Sequence, residues 1–337
     1  MKRQLTSLLA FLAFSLAGAN AWASPFSSLY AFGDSLSDSG NNPSSVLSIY
    51  NLIGGTCDSF HPCPPYFNGR YSNGPVAVEY LANAVLPGGG TPANFHNFAV
   101  SGATTGIGNF GDGGSALAPG LYGLPGMYQE IGLYLSSVSG VADPNALYFV
   151  WGGANDFLTF NSPILAAQNI AGYVGALAAA GAEHLLVPNL PDLGLTPFVR
   201  SVGPDFVAAA HAFSVGFNAE LALRLGELSL LFPAADIVDF DTFSFLNDVV
   251  LNPAGYGFGN SQDACLPSLD ATPCANPDDY VFWDGFHPTT RADALIALAF
   301  ARAVPEPGTI ALLMLGLLAL SAGGYHRRQH AGVCSRK

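Results

Sequence analysis

Five short apolar runs punctuate this chain: SSLYAFG at 27–33, NFHNFAV at 94–100, ALYFVWG at 146–152, EHLLVPN at 183–189 and ADIVDF at 235–240. Each reads as a strand, and longer stretches of helical character separate them. Residues 162–181 show this best, with Ser162 placed to cap, Pro163 in the first helical position, an Ala/Leu-rich body and Gly181 at the stop. FVAAAHAFSVGFNAELALRLGEL repeats apolar residues at three- and four-residue spacing, and Thr290-x-x-Asp293 before ALIALAF resembles a capping box. Strands that alternate with helices, without tight hairpin turns, predict an α/β fold whose parallel sheet is covered on both faces. Ligands of such a sheet bind beyond the carboxyl ends of its strands, so chemistry is to be sought there. Two long loops, the Gly-rich 102–126 and the Cys-bearing 252–280, are candidates to shape a site.

Both ends stand apart from this pattern. Lys2 and Arg3, the run LLAFLAFSLAG and Ala21-Trp22-Ala23 make the charged, apolar and cleavage regions of a signal peptide over 1–23, with mature chain expected from Ser24. At the other end Thr309 to Tyr325 is almost wholly apolar, at the short end of the ~17–25 residues that span a bilayer. Arg327 and Arg328 follow, which puts that flank, and the tail 329–337, on the cytoplasmic side. Val304-Pro305-Glu306-Pro307, an apolar helix and then arginines resemble the PEP-CTERM sorting signal of Gram-negative bacteria. That resemblance, over 304–328, implies export, transient anchoring in the inner membrane, and recognition by an exosortase-like sorting protease. It further implies release to the cell surface or beyond, in association with extracellular polysaccharide.

Between these ends, residues 24–304 hold 23 acidic residues against five basic ones, all arginine (Arg70, Arg200, Arg224, Arg291, Arg302), a formal net of −18. Such a surface repels nucleic acid and anionic headgroups, so nucleic-acid binding is excluded. Cys57 and Cys63 lie six apart and Cys265 and Cys274 nine apart, each pair in a Pro-rich loop. In an exported protein this predicts two local disulfides, whereas the C-x₂₋₄-C spacing of a zinc site is lacking. Neither a metal nor another cofactor is expected.

The segment YAFGDSLSDSGNN raises the question of whether Ser35, directly after the first strand, is a turn-former, a phosphate-cradling residue or a nucleophile. A phosphate cradle would need a G-x-x-x-x-G-K-[ST] loop, and no lysine is near. A nucleophile needs a base, a group to orient the base and donors for an oxyanion. Of His61, His96, His184, His211 and His287, the last lies in WDGFHPTT with Asp284 three residues before it and Gly285 between, close enough to hold one imidazole tautomer. Gly102, after the second strand in NFAVSGATT, allows its backbone N–H near a substrate; Asn155, after the third in VWGGANDF, offers an amide. Asp34 and Asp156 read as structural, holding loops by hydrogen bonds.

Gly33-Asp34-Ser35-Leu36, Gly102, Gly153-Ala154-Asn155-Asp156 and Asp284-Gly285-Phe286-His287 together resemble the blocks of the GDSL lipase/esterase family, the SGNH hydrolases. RYSNGPVAVEYLA, NFAVSGATT and VPNLPDLGLTP resemble it too, so the likeness runs over nearly all of 26–302. It implies a hydrolase domain over 24–303 with a three-layer α/β/α flavodoxin-like fold and a central parallel sheet of about five strands. It also implies an exported serine esterase in which Ser35 is nucleophile, His287 base and Asp284 its orienting acid. The Ser35 backbone, Gly102 and Asn155 are the implied oxyanion hole. The substrate is left open among lipid, small ester and O-acylated sugar; Phe60, Tyr66, Phe67 and Phe110 are candidates to line an acyl pocket. An acyltransferase or deacetylase acting on extracellular polysaccharide would use the same residues, while a non-catalytic matrix-binding protein would have no reason to keep them all.

Overall fold

All five apolar runs form strands. In the computed structural model, which describes residues 26–57, 62–269 and 271–304, the chain runs β1 (Leu29–Gly33), α1 (Ala77–Val85), β2 (Phe95–Asn97), α2 (Met127–Ser137), β3 (Leu147–Trp151), α3 (Ala154–Leu158), α4 (Pro163–Ala180), β4 (His184–Pro188), α5 (Pro204–Leu231), β5 (Asp236–Phe240), α6 (Thr242–Leu251), β6 (Asn260–Ala264), β7 (Tyr280–Phe282) and α7 (Thr290–Ala303). The expected signal peptide, the sorting segment from Pro305 onward, Phe60 and His61 lie outside the described residues.

The first five strands make one sheet in the order β2-β1-β3-β4-β5, every neighbouring pair parallel. This is the flavodoxin-like order, and its switch point falls between β1 and β3. Gly33 closes β1 in register with Trp151 of β3. A Cβ on Gly33 would sit 2.1 Å from the Trp151 carbonyl oxygen, so only glycine lets the two strand ends approach this closely.

β3 is buried at all five positions, as its central place demands. The period-two alternation of strands divides its side chains between two layers. Tyr148 and Val150 share one core with Phe32, Leu185 and Val187, and with Tyr134 of α2, Val174 of α4 and Phe217 of α5. On the opposite face Phe300 of α7 meets Phe149 at 5.5 Å, Trp151 at 5.4 Å and Phe240 at 4.9 Å between ring centres. The result is three layers, α/β/α.

Local signals act as their chemistry predicts in most places. Ser162 caps α4 by accepting from the Leu165 N–H, and Gly181 ends it in the left-handed region, φ 108°. The start of α7 differs from the capping box expected at Thr290. Thr289 is the cap, accepting from the Ala292 N–H at 3.3 Å. Thr290 instead donates its hydroxyl to the Pro75 carbonyl, and the buried Asp293 turns inward to accept from Ser72 Oγ. Tertiary partners thus outcompete the local box. β2 is shorter than its apolar run: beyond Asn97 the Phe98 and Val100 N–H groups still donate to the Ala31 and Gly33 carbonyls of β1, while the Ala99 N–H goes to Asn97 Oδ1. The 252–280 loop is more ordered than expected: it carries β6, which pairs in parallel with β7. Cys57–Cys63 and Cys265–Cys274 are both bridged, with Cα separations of 5.5 and 4.8 Å.

Candidate active site

Ser35 lies two residues beyond β1, in a helical turn closed by the Ser37 and Asp38 N–H groups donating to the Asp34 carbonyl at 3.0 and 2.9 Å. Two buried carboxylates that sequence reasoning missed hold this turn against the turn after β2. Glu130 of α2 accepts from the Gly33 N–H at 2.8 Å and the Val100 N–H at 3.2 Å. Asp38 accepts from the N–H groups of Gly40, Ile49 and Ser101, at 2.9, 2.8 and 2.8 Å. Burial pushes Asp38 up to about 6 and Glu130 well above the ordinary carboxyl range. Only the third dimension brings Glu130 to Gly33 and Val100, and Asp38 to Ile49 and Ser101.

β7 runs directly into Asp284, and the Trp283 N–H donates to the His287 carbonyl at 2.7 Å, closing the tight turn that holds both residues. Asp284 Oδ1 accepts from the backbone N–H groups of Phe286 and His287, each at 2.8 Å, while Oδ2 accepts from the Tyr66 hydroxyl at 2.7 Å. His287 Nδ1 is 2.8 Å from both oxygens, and Nε2 is 2.8 Å from Ser35 Oγ. A carboxylate on one ring nitrogen and a hydroxyl on the other assign the proton to Nδ1 and leave Nε2 to accept. Burial opposes the charge on Asp284, yet the adjacent His287, the Phe286 N–H and the Tyr66 hydroxyl outweigh it and hold the carboxyl below its ordinary value.

Ser35, Gly102 and Asn155 line one cavity with Asp284 and His287. Gly102 has φ 81°, and a Cβ there would lie 2.2 Å from Asn109 Oδ1. Asn155 is buried and commits one Nδ2 hydrogen to the Ala103 carbonyl at 3.0 Å. An amide nitrogen has two, so a second donor remains for a ligand. Asp156 accepts from the Thr105 N–H and Oγ1 at 2.8 and 2.9 Å, pinning the 102–126 loop to α3. Asp34 accepts from the Leu36 N–H at 3.1 Å, and burial pushes its carboxyl up to about 7.

The cavity, about 910 Å³, extends from Ser35 between the 102–126 loop, α3, the turn 191–199, α6 and the disulfide loop 265–274. Its walls are mainly aliphatic and aromatic, among them Phe110, Leu124, Phe157, Val199, Leu246 and Leu269. Its charged lining comprises Asp34, Asp192, Asp284 and the titratable His287; among the described residues, no lysine or arginine lines it. Tyr66 and Phe110 line it as anticipated. Phe67 does not, and instead lies under the Arg70 guanidinium at 5.1 Å. Neither His96, stacked on Tyr30, nor His211, paired with the cavity-lining Asp192, lines the cavity itself. Among the described residues no group of three or more His, Cys, Asp or Glu side chains could hold a metal ion.

Comparison with known proteins gives this arrangement its context. The family model for GDSL-like lipase/acylhydrolase matches residues 29–300. The chain belongs to the GDSL-like lipase/acylhydrolase family. Proteins of this family generally hydrolyse esters. A GDSL esterase/lipase of Arabidopsis thaliana is 27% identical over 316 residues, covering 80% of this chain and 87% of that protein. An uncharacterised protein of the trpE–trpG intergenic region of Pseudomonas putida is 30% identical over 313 residues, covering 86% of this chain and 50% of that one. Among solved structures, a carbohydrate acetylesterase of Sinorhizobium meliloti shares 16% identity at a TM-score of 0.41, over 85% of this chain and 99% of that one. Residues 303–328 match the PEP-CTERM protein-sorting motif, which indicates export by a Gram-negative bacterium with a C-terminal membrane anchor.

Proposed function

We propose that this GDSL-family protein is an exported serine hydrolase that cleaves neutral carboxylic esters through an acyl-enzyme on Ser35. The observation that carries the reading is the continuous set of contacts Ser35 Oγ, His287 and Asp284, each link 2.8 Å. His287 Nε2 accepts the Ser35 proton as Oγ attacks the ester carbonyl, and Asp284 balances the imidazolium that forms. The carbonyl oxygen gathers negative charge, which the N–H groups of Ser35 and Gly102 and the free Asn155 amide hydrogen receive. The C–O bond to the alcohol breaks, and His287 returns the proton to the departing oxygen. Water then attacks the acyl carbon as His287 takes its proton, the C–Oγ bond breaks, and His287 hands that proton to Oγ, freeing the acid and restoring Ser35.

The cavity supports an acyl group longer than acetyl. Its volume is in the range typical of sites that enclose a whole small ligand, and its apolar walls favour a hydrocarbon chain by about 25 cal/mol per Å² of surface removed from water. With no lysine or arginine among the described lining residues and an acidic domain around it, the cavity disfavours anionic esters. In this reading the sorting segment is cut by an exosortase-like protease, releasing the enzyme to the cell surface or beyond.

The test is hydrolysis of p-nitrophenyl esters of two to sixteen carbons by the full chain and by Ser35→Ala. The reading expects activity that peaks beyond the acetate and vanishes in the variant. Highest activity on acetate, with acetylated exopolysaccharide the better substrate, would move the assignment to a sugar deacetylase.

A further inference from the structure

We infer that Tyr66 is a fourth member of the Ser35–His287–Asp284 relay, a positioning residue that fixes Asp284 through its hydroxyl. The inference rests on the serine-hydrolase reading above and adds a residue to it.

The two backbone donors to Asp284, from Phe286 and His287, both end on Oδ1 and both come from its own turn. His287 Nδ1 also reaches both oxygens at 2.8 Å, and it too belongs to the turn that carries Asp284. The Tyr66 hydroxyl, 218 residues away in the chain, donates to Oδ2 at 2.7 Å and fixes the plane. The phenol itself is well anchored. It is 6% exposed, its ring lies edge-on to Trp283 at 6.3 Å and tilted against Tyr71 at 5.7 Å. Tyr71 in turn lies 5.0 Å from the His287 ring, so one aromatic wall supports both the base and the acid. Burial, then the charge of Asp284, raises the Tyr66 hydroxyl far above its ordinary value, so it stays a donor throughout the working pH range.

Its removal has a signature that a packing role lacks. Around His287 stand Asp284 of the same turn, Asp34 beside Ser35, and the rings of Tyr71 and Phe286. Asp284 deprived of the Tyr66 donor keeps more charge for the imidazolium, which makes the base harder to deprotonate. The acid limb of the kcat/KM profile therefore moves to higher pH in Tyr66→Phe.

The experiment compares kcat, KM and the pH profile of wild type, Tyr66→Phe, Asp284→Asn and the double variant, using the full chain and a p-nitrophenyl ester. Expected are a fall in kcat of about tenfold or more in Tyr66→Phe, little change in KM, and the shifted acid limb. Tyr66→Phe should add almost no further loss in the Asp284→Asn background. Additive losses, or a folded Tyr66→Phe with wild-type kcat and acid limb, would overturn the inference. If Tyr66→Phe does not fold, 3-fluorotyrosine at position 66, a stronger donor of almost the same shape, should move the acid limb to lower pH; an unmoved limb is again contrary. Wild-type protein whose hydrolysis survives Ser35→Ala would instead remove the underlying reading.

Discussion

His287 Nε2 lies 2.8 Å from Ser35 Oγ, across 252 residues of chain. The flavodoxin-like order makes this meeting possible. Ser35 leaves the end of β1 at the switch point, and α7 on one face of the sheet sets where the Asp284–His287 turn emerges. Gly102 and Asn155 come from the ends of the two strands that flank β1.

Asn155→Ala should lower kcat by ~10²–10³, the usual loss when one oxyanion donor goes. The side chain also donates to the Ala103 carbonyl, so the variant is to be compared by thermal unfolding as well as by rate. A folded variant with near wild-type kcat would exclude Asn155 from the oxyanion hole.

Gly102→Ala should be worse for the fold. Its φ of 81° costs a side chain about 1–3 kcal/mol. The added Cβ also meets Asn109, which is fixed by donating to the Ser101 and Pro125 carbonyls at 3.0 and 3.1 Å. Both the melting temperature and kcat should drop, measured by calorimetry and steady-state kinetics.

Stability should rise as pH falls from about 8 to about 5. Burial raises Asp34 to about 7 and Asp38 and Asp156 to about 6, and it raises Glu130 and Asp293 well above their ordinary values. The folded state therefore binds more protons than the unfolded chain in this window, which makes the slope of unfolding free energy with pH negative. His96, lowered by burial, works the other way but is a single group. Groups with depressed values, such as Asp284, act only below the ordinary carboxyl range. A thermal midpoint at pH 5 higher than at pH 8 is the expected result of a pH series, and the reverse order would contradict it.

Leu246→Trp on α6 should shorten the preferred acyl chain. Leu246 is partly buried and lines the cavity, so an indole there takes room from a chain while leaving Ser35 untouched. Rates on the longest p-nitrophenyl esters should fall and the rate on acetate should hold.

Much of this architecture is legible in the sequence because its signals are local. The five strands show as apolar runs, Ser162 and Gly181 mark the ends of α4, and the spacing of the cysteines indicates both disulfides. Asp284 and His287 are legible as a pair because three residues separate them. What escaped depends on contacts between distant segments. Nothing around Glu130 announces that its carboxylate reaches Gly33 and Val100, and nothing in CPPYFNG announces that the Tyr66 hydroxyl reaches Asp284. The cap of α7 was displaced by one residue because Thr290 and Asp293 found partners in the 72–75 segment.

The most direct test of the central claim is to trap the acyl-enzyme. The full chain is mixed with a p-nitrophenyl ester at acidic pH, quenched, digested and examined by mass spectrometry. The account predicts an acyl adduct on the peptide bearing Ser35, a matching burst of p-nitrophenol, and neither in Ser35→Ala. Full hydrolysis with no adduct on Ser35, or undiminished in Ser35→Ala, would contradict it.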